Sequence, residues 1–291
     1  MPTHTVKNIT APTRLNDYLI HLFDELPTKS SIKKSLKKGR IKVNDQIQPG
    51  GYYLQEGDVI TYQPPPLVPK KILELRLEVL FEDDYLAIIQ KPAGISVSGN
   101  QFYTIQNALP FNLQLSPKED AIAPLPVHRL DHQTSGILVI AKTGSIRTKL
   151  GQLFENQSIT KTYHAVVIGK PATSGQIDLA IEGKKSTTFY ERISFVRSLK
   201  NGYLSLVKLS PKTGRTHQLR IHLSSIGHPI LGDKLYGMEG KILRQKGLFL
   251  SATSISFVHP ETNDPLQISI PIPYKFQKRM ANEARRYERA E

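Results

Sequence analysis

Four prolines fall within seven residues at "QPPPLVP", residues 63–69 (Pro64, Pro65, Pro66 and Pro69). Each pyrrolidine ring fixes φ and removes a backbone donor, which favours an extended, semi-rigid linker over residues 63–71. The chain of 291 residues is therefore expected to divide into a small N-terminal module, about residues 12–62, and a large C-terminal module, residues 72–275. The last stretch, "FQKRMANEARRYERAE" at 276–291, is highly charged and is expected as a surface helix or a frayed tail.

In the small module Leu15, Leu19, Leu22 and Phe23 recur at helical spacing after "TRLND". "TKSSIKKSLKKGRIKVNDQ" predicts a short helix ended by Gly39 and followed by a strand, and "VNDQIQPGGYYLQEGDVITY" a strand, a turn and a strand. From Lys29 to Lys42 there are seven basic residues (Lys29, Lys33, Lys34, Lys37, Lys38, Arg40, Lys42) and no acid. Ile32 and Leu36 give this segment one apolar edge, so the lysines crowd the other faces. Such a run is either a solvated helix face or a phosphate-binding surface, and the mutual repulsion of so many like charges favours phosphate.

The whole chain has the same bias. It carries 39 Lys and Arg against 25 Asp and Glu, a formal net charge of +14, which favours a polyanionic partner, most commonly RNA or DNA, over general solubility or attraction to acidic membranes. A hydrophobic content of 39% fits a globular protein and not a disordered one. The absence of cysteine excludes disulfides, thiol catalysis and cysteine zinc sites. "MPTHTVKNITAPTRL" has no apolar core of signal-peptide length, and no run approaches the ~18 apolar residues of a membrane span. A soluble, cytoplasmic, monomeric protein is expected.

The large module opens with two strand-like runs, "LRLEVLFED" and "YLAIIQKPAG", and then a polar, proline-marked stretch to about residue 126. "GILVIAKT" suits a buried strand. "SIRTKLGQLFENQ" is helical, with Ile146, Leu150, Leu153 and Phe154 on one face and Ser145 available as N-cap. "TKTYHAVVIGK", "TTFYERISFVRS", "GYLSLVKLSPKTG" and "GLFLSATSISFVHP" read as strands, and "THQLRIHLSSIGH" as a helix. Strands outnumber helices without regular βαβ spacing, which predicts a mixed α+β module with a largely antiparallel sheet.

Three places can carry chemistry. In "VHRLDHQTSGILVIAKT", residues 127–143, Asp131 is a turn acid, a metal ligand or a catalytic carboxylate. His128, Asp131 and His132 match no standard ligand spacing, so no metal is called for. Arg129, two residues earlier, can point to the same side of an extended segment, where a guanidinium favours ionised Asp131. In "SPKTGRTHQLRIHLSSIGHPILGD", residues 210–233, Gly214 permits a tight turn and Thr216 can cap a helix starting near His217, with Leu219, Leu223 and Ile226 on its buried face. Arg215 and Arg220 are then either phosphate-binding surface arginines, or one of them pairs with Asp131, in which case the cost of burying the pair points to function. Third, Tyr163 in "TKTYHAVV" shares a strand face with Lys161, Ala165 and Val167 while His164 faces away. It is either a core tyrosine or an aromatic that stacks on an extruded base or moves a proton.

Two resemblances follow from these stretches. "RLNDYLIHLF", "SSIKKSLKKGRIKVND" and "LQEGDVI" resemble the α-L RNA-binding domain of a small-subunit ribosomal protein and of several RNA-modifying enzymes, over about residues 12–62; this implies RNA contacts by Lys33, Lys34, Lys37, Lys38 and Arg40. "LAIIQKPAG", "HRLDHQTSG", "KTYHAVV", "KTGRTHQLRIHL" and "GHPILGDKLYG", in that order, resemble the RluA family of RNA pseudouridine synthases over about residues 75–270. That resemblance implies a catalytic domain of pseudouridine synthase type, with Asp131 the catalytic aspartate, Tyr163 the active-site tyrosine and Arg220 the arginine paired with the aspartate. Arg129 is then the arginine that takes the place vacated by the flipped uridine, with Arg215 and His217 also at the RNA. The implied reaction breaks the N1–C1′ bond of uridine, turns the base and rejoins it through C5. It transfers no electron and adds no water, so no cofactor or metal is expected. An ionised carboxylate is needed either to attack C1′ or to accept the 2′ proton. The implied substrate is large-subunit (23S) ribosomal RNA; transfer RNA, or a non-catalytic role in RNA binding or ribosome assembly, are the alternatives. Two stretches depart from the family: "ISVSGN" follows "KPAG" where many relatives have His-Pro, and Ser251-Ala252 stands where His-Ala is usual.

Overall fold

The computed structural model describes residues 2–9, 11–20, 22–23, 26, 28–64, 72–241 and 246–291. Of the expected linker, residues 65–71 lie outside the described residues. The chain forms two compact units, Met1–Pro69 and Lys70–Glu291.

The first unit contains β1 (Thr3–Thr5), α1 (Leu15–Tyr18), α2 (Lys29–Lys37), β2 (Ile41–Val43) and β3 (Val59–Tyr62). The strands form an antiparallel sheet in the order β1-β3-β2. Thr28 and Ser31 cap α2 reciprocally, and Gly39 takes the left-handed φ of +64° that stops it. Ile32 is buried with Leu15, Leu19, Ile41 and Ile60, while Lys33, Lys34, Lys37 and Lys38 are exposed and Arg40 is half-buried. Two expectations are corrected. The helical spacing after "TRLND" gives helix only to Tyr18, although Leu19 and Phe23 stay in the core. The unit also begins before residue 12, because β1 pairs with β3.

The second unit contains β4 (Glu78–Glu82), β5 (Leu86–Lys91), α3 (Ile105–Asn112), β6 (Ala121–Pro126), β7 (Ser135–Thr143), α4 (Gly144–Glu155), β8 (Thr160–Ile168), β9 (Ser174–Asp178), β10 (Thr187–Ser198), β11 (Gly202–Pro211), α5 (Gln218–Ser225), β12 (Leu250–Val258), β13 (Pro265–Ser269) and α6 (Tyr274–Glu288). Ten strands form one sheet in the order β4-β5-β7-β12-β8-β11-β10-β9, with β6 added on β7 and β13 on β12. Among the described strand pairs of this sheet only the short β7–β12 pairing is parallel, so the mixed, mostly antiparallel α+β reading holds. β5 and β7 are buried along almost their whole length, with apolar centres at Leu86–Ile89 and Ile137–Ala141, as strands covered on both faces require.

Four local expectations change. Thr143, not Ser145, caps α4, its hydroxyl accepting from the Ile146 N–H. α5 is entered through His217 in the left-handed region, with no side-chain cap from Thr216. Leu219 and Leu223 are buried, but Ile226 is exposed. The terminal segment, expected as a surface helix or a frayed tail, is the helix α6, and it is not a purely surface one: it buries Phe276 and Met280 in the core with Val207 and Leu223. Its Glu283 is buried too, accepting from the Ser198 hydroxyl of β10 and pairing with Arg279.

Candidate active site

Asp131 lies in the short connection between β6 and β7. Its backbone carbonyl accepts from the Thr134 N–H (3.0 Å), closing a turn, so the turn uses the backbone and leaves the carboxylate free. Leu130 anchors the connection in the core. Lys91, at the end of β5, is fully buried beneath it. Its ammonium donates to the carbonyls of Pro92 (2.9 Å), His132 (3.3 Å) and Thr134 (2.8 Å). Burial lowers Lys91 to about 8, and the Asp131 carboxylate pulls it back up. The Asp131 turn is thus held from below by one buried cation.

The opposing wall is α5 and the loop before it. Gln218, buried at the first position of the helix, accepts from the Thr213 hydroxyl (2.7 Å) and the Arg215 N–H (3.0 Å). It donates to the Thr187 carbonyl and the Thr188 hydroxyl, both at 3.0 Å, so one side chain fixes the loop that carries Arg215. His217 has φ +55°, a conformation that non-glycine residues seldom adopt and that often marks functional sites. Its Nε2 lies 3.8 Å from Asp131 Oδ1, and its Nδ1 shares a hydrogen bond of 3.0 Å with the Tyr236 hydroxyl.

Arg220 is buried. Its Nη1 stands 3.5 Å from Asp131 Oδ2, as the pairing expected from the sequence requires, but its shorter bonds go elsewhere. Nε and Nη2 donate to the two carboxylate oxygens of Asp233 at 2.7 and 2.8 Å, a bidentate pair. Asp233 also accepts from the N–H groups of Leu235 (2.9 Å) and Tyr236 (3.1 Å). Burial works against the Arg220 charge, but the Asp233 hydrogen bonds and the carboxylates of Asp233 and Asp131 outweigh it, so Arg220 titrates above its ordinary value. Burial likewise raises Asp233, but the Arg220 bond and the two backbone N–H groups hold it below the ordinary carboxylate range. Both oxygens of Asp131 therefore face nitrogen-bearing side chains, Oδ2 the Arg220 guanidinium and Oδ1 the His217 ring.

Tyr163 closes the cleft from β8. Burial, and then the nearby Asp131 charge, push its phenol well above the ordinary range, so it keeps its proton at neutral pH. Arg129, Asp131, Lys161, Tyr163, His217 and Arg220 line one cleft, with Arg129 exposed at its rim and Arg215 beside it, also exposed. His128 belongs elsewhere. Its Nε2 accepts from the Val139 N–H (3.0 Å), its ring packs on Phe154, and burial lowers it to about 3. His132 is exposed, with Nδ1 against Gln133. Of the residues that depart from the family pattern, Ser96 and Ser98 line the cleft beside Asp131 and His132. Ser251 is buried and bonded to Ser135.

A family model described as RNA pseudouridylate synthase matches residues 85–225, which hold Asp131, Tyr163 and Arg220. "Ribosomal large subunit pseudouridine synthase C" of Pasteurella multocida is 34% identical over 94% of this chain and 91% of that protein. The chain is a member of the RluA family of RNA pseudouridine synthases. It is accordingly an isomerase that converts uridine to pseudouridine in RNA. Among the family's relatives, "Ribosomal large subunit pseudouridine synthase D" of Zymomonas mobilis is 35% identical over 70% of this chain and 72% of its own. A solved structure titled "Human RNA Pseudouridylate Synthase Domain Containing 1" superposes with a TM-score of 0.58 at 25% identity, covering 68% of this chain and 84% of that one. For this pseudouridine synthase, Lys91, Gln218, Asp233 and Tyr236 are the site residues that sequence reasoning missed. Asp233 and Tyr236 lie in "GHPILGDKLYG" and Gln218 in "KTGRTHQLRIHL", so the motifs held the signal without showing its use.

Proposed function

We propose that this enzyme isomerises uridine in large-subunit ribosomal RNA, with Asp131 as the catalytic carboxylate. The observation that carries this reading is the placement of Asp131 in a cleft where Arg220 and His217 face its two oxygens and Tyr163 lines the same cleft. The names of the relatives in Pasteurella multocida and Zymomonas mobilis support the ribosomal substrate. Arg220 gives the carboxylate a positive partner at C1′ and the 2′ position, whether it attacks the one or takes the proton of the other. Tyr163 walls the loosened base and, with its proton retained, offers a hydrogen bond and not a charge. Arg129 fills the space the flipped uridine leaves, and Arg215 and His217 hold the RNA around it. Residues 12–62 act as an α-L RNA-binding module through the exposed Lys33, Lys34, Lys37 and Lys38 with Arg40. The enzyme works as a cytoplasmic monomer.

Two measurements test this. Mapping pseudouridine in ribosomal and transfer RNA from cells with and without the protein should show sites missing from large-subunit RNA alone. Asp131→Asn preserves size and most hydrogen bonding but removes the charge, so turnover should become undetectable while RNA binding and melting temperature stay close to wild type. Turnover within tenfold of wild type would rule Asp131 out as the catalytic group.

A further inference from the structure

We infer that Lys161 forms a subsite for one phosphodiester of the RNA strand, next to the nucleotide being isomerised. The inference rests on the proposed reading of the cleft and adds to it the residue that grips the backbone there. Lys161 and Tyr163 are two apart on β8, so both side chains leave the same face of the sheet. Lys161 lines the cleft of Asp131 and Tyr163 and also a second groove that continues from it past Arg129, Phe154, Lys212 and Arg215. The ammonium therefore stands where the two join. That groove carries four basic side chains against the single acid Glu155.

Among the described residues the ammonium lacks an acceptor. Other cations drawn into this unit have one: Lys91 has three carbonyls, Lys142 has Glu82, Arg220 has Asp233 and Lys275 has the Leu248 carbonyl. Lys161 is half-buried, yet among the described residues its Nζ has no hydrogen bond or ion pair, only the Phe154 ring at 5.9 Å. Nearby candidates are engaged. Asp131 faces Arg220 and His217, and the Nε2 of His128 is taken by the Val139 N–H. Gly214 leaves the space in front of the ammonium open; a Cβ there would lie 4.0 Å from Nζ. Burial lowers the Lys161 pKa, a cost that an anion at this point removes and a neutral uracil carbonyl offsets far less. A phosphate is the anion that an RNA strand brings to every nucleotide.

The test is a two-by-two comparison on a short RNA with one target uridine. The phosphate on either side of that uridine is replaced in turn by an uncharged methylphosphonate, and kcat/KM is measured for the full-length wild type and for Lys161→Met. Wild-type turnover on the unmodified RNA checks the pseudouridine synthase reading independently. One of the two replacements should cost the wild type on the order of 10- to 100-fold, the worth of a hydrogen bond to a charged group. Lys161→Met on unmodified RNA should lose a similar factor, with a salt slope of binding shallower by about 0.7. The two changes together should lose no more than either alone, and Lys161→Arg should recover most of the loss. If Lys161→Met melts below wild type, Lys161→Gln takes its place in the cycle. Losses that multiply at both linkages, or a wild type indifferent to both replacements, would overturn the inference and place Lys161 against the base.

Discussion

Arg220 leans on Asp131 at 3.5 Å, but Asp233 grips it with two bonds of 2.7 and 2.8 Å. At the residue scale that difference separates the two acids: Asp233 sets the guanidinium's position, and Asp131 meets that fixed cation only through the longer contact. The motifs led to Asp131, Tyr163 and Arg220 only together, through the family resemblance; singly they read equally as a turn acid, a core tyrosine and a surface arginine. Asp233 was not legible, because an Asp flanked by Gly232 and Lys234 reads as a turn acid. Lys91 was hidden for a similar reason: lysine is almost never fully buried, and nothing in "IIQKPAG" shows the three carbonyls waiting above it. Asp233→Asn should strand the buried Arg220, cost about 3 to 5 kcal/mol of stability at neutral pH, and sharply reduce turnover. The pH dependence follows from the lowered pKa of Asp233. Its charge contributes fully above the ordinary carboxylate value of 3.8, and the contribution is lost as pH falls through the lower folded-state value. Melting curves of wild type and Asp233→Asn should therefore lie furthest apart at pH 7 and converge in strong acid. A gap that persists there would mean that Asp233 acts by shape and not by charge.

At the scale of elements, the long central strands were the most legible. "TTFYERISFVRS" coincides with β10, Thr187–Ser198, since aromatic and β-branched residues suit a half-buried sheet. The elements the sequence hid each carry a contrary signal. α3 has Pro110 in its interior and β6 contains Pro124 and Pro126, which argue locally against helix and strand. β9 and β13 are short peripheral strands of five residues. The sequence allows a helix at α6 as one of two alternatives but hides its buried face, because Glu283 reads as a surface acid although Ser198 and Arg279 satisfy it in a buried position. The joint between β7 and β12 depends on an absence that only coordinates reveal. Gly136 sits at φ +118°, and a Cβ there would fall 2.1 Å from the Ala252 carbonyl oxygen and 2.6 Å from its nitrogen. Backbone cannot yield as a side-chain tip can. Gly136→Ala should therefore part the two strands and destabilise the enzyme by about 4 kcal/mol or more, displacing the neighbouring Asp131 turn as well. Chemical denaturation would measure this; a loss under 1 kcal/mol would show that the joint is not as tight as its geometry implies.

At the scale of the whole molecule, the net charge of +14 announced a polyanionic partner but not how the cations are divided. The structure divides them between the catalytic cleft of the second unit, where Arg129, Lys161 and Arg215 gather, and the exposed lysines of α2 in the first. Each unit has an apolar core of its own, built on Leu15, Ile32 and Ile60 in the first and on Val166, Val207 and Leu223 among others in the second. Removing residues 1–63 should therefore leave Asp131, Tyr163 and Arg220 folded and chemically competent. What should fall is affinity for long structured RNA, because Lys33, Lys34, Lys37 and Lys38 no longer displace counterions from its phosphates. A tethered module acts through effective concentration, and losing it should weaken apparent binding on the order of 10²-fold. The salt dependence should flatten in parallel, by about 0.7 to 0.9 in slope for each phosphate contact removed. On a fragment short enough to fill only the cleft, truncated and full-length enzyme should turn over alike. Binding and turnover on long and short RNA at two salt concentrations separate these effects. If the truncated enzyme binds long RNA as tightly and with the same salt slope, the lysines of α2 form a solvated helix face and the catalytic unit finds its uridine alone.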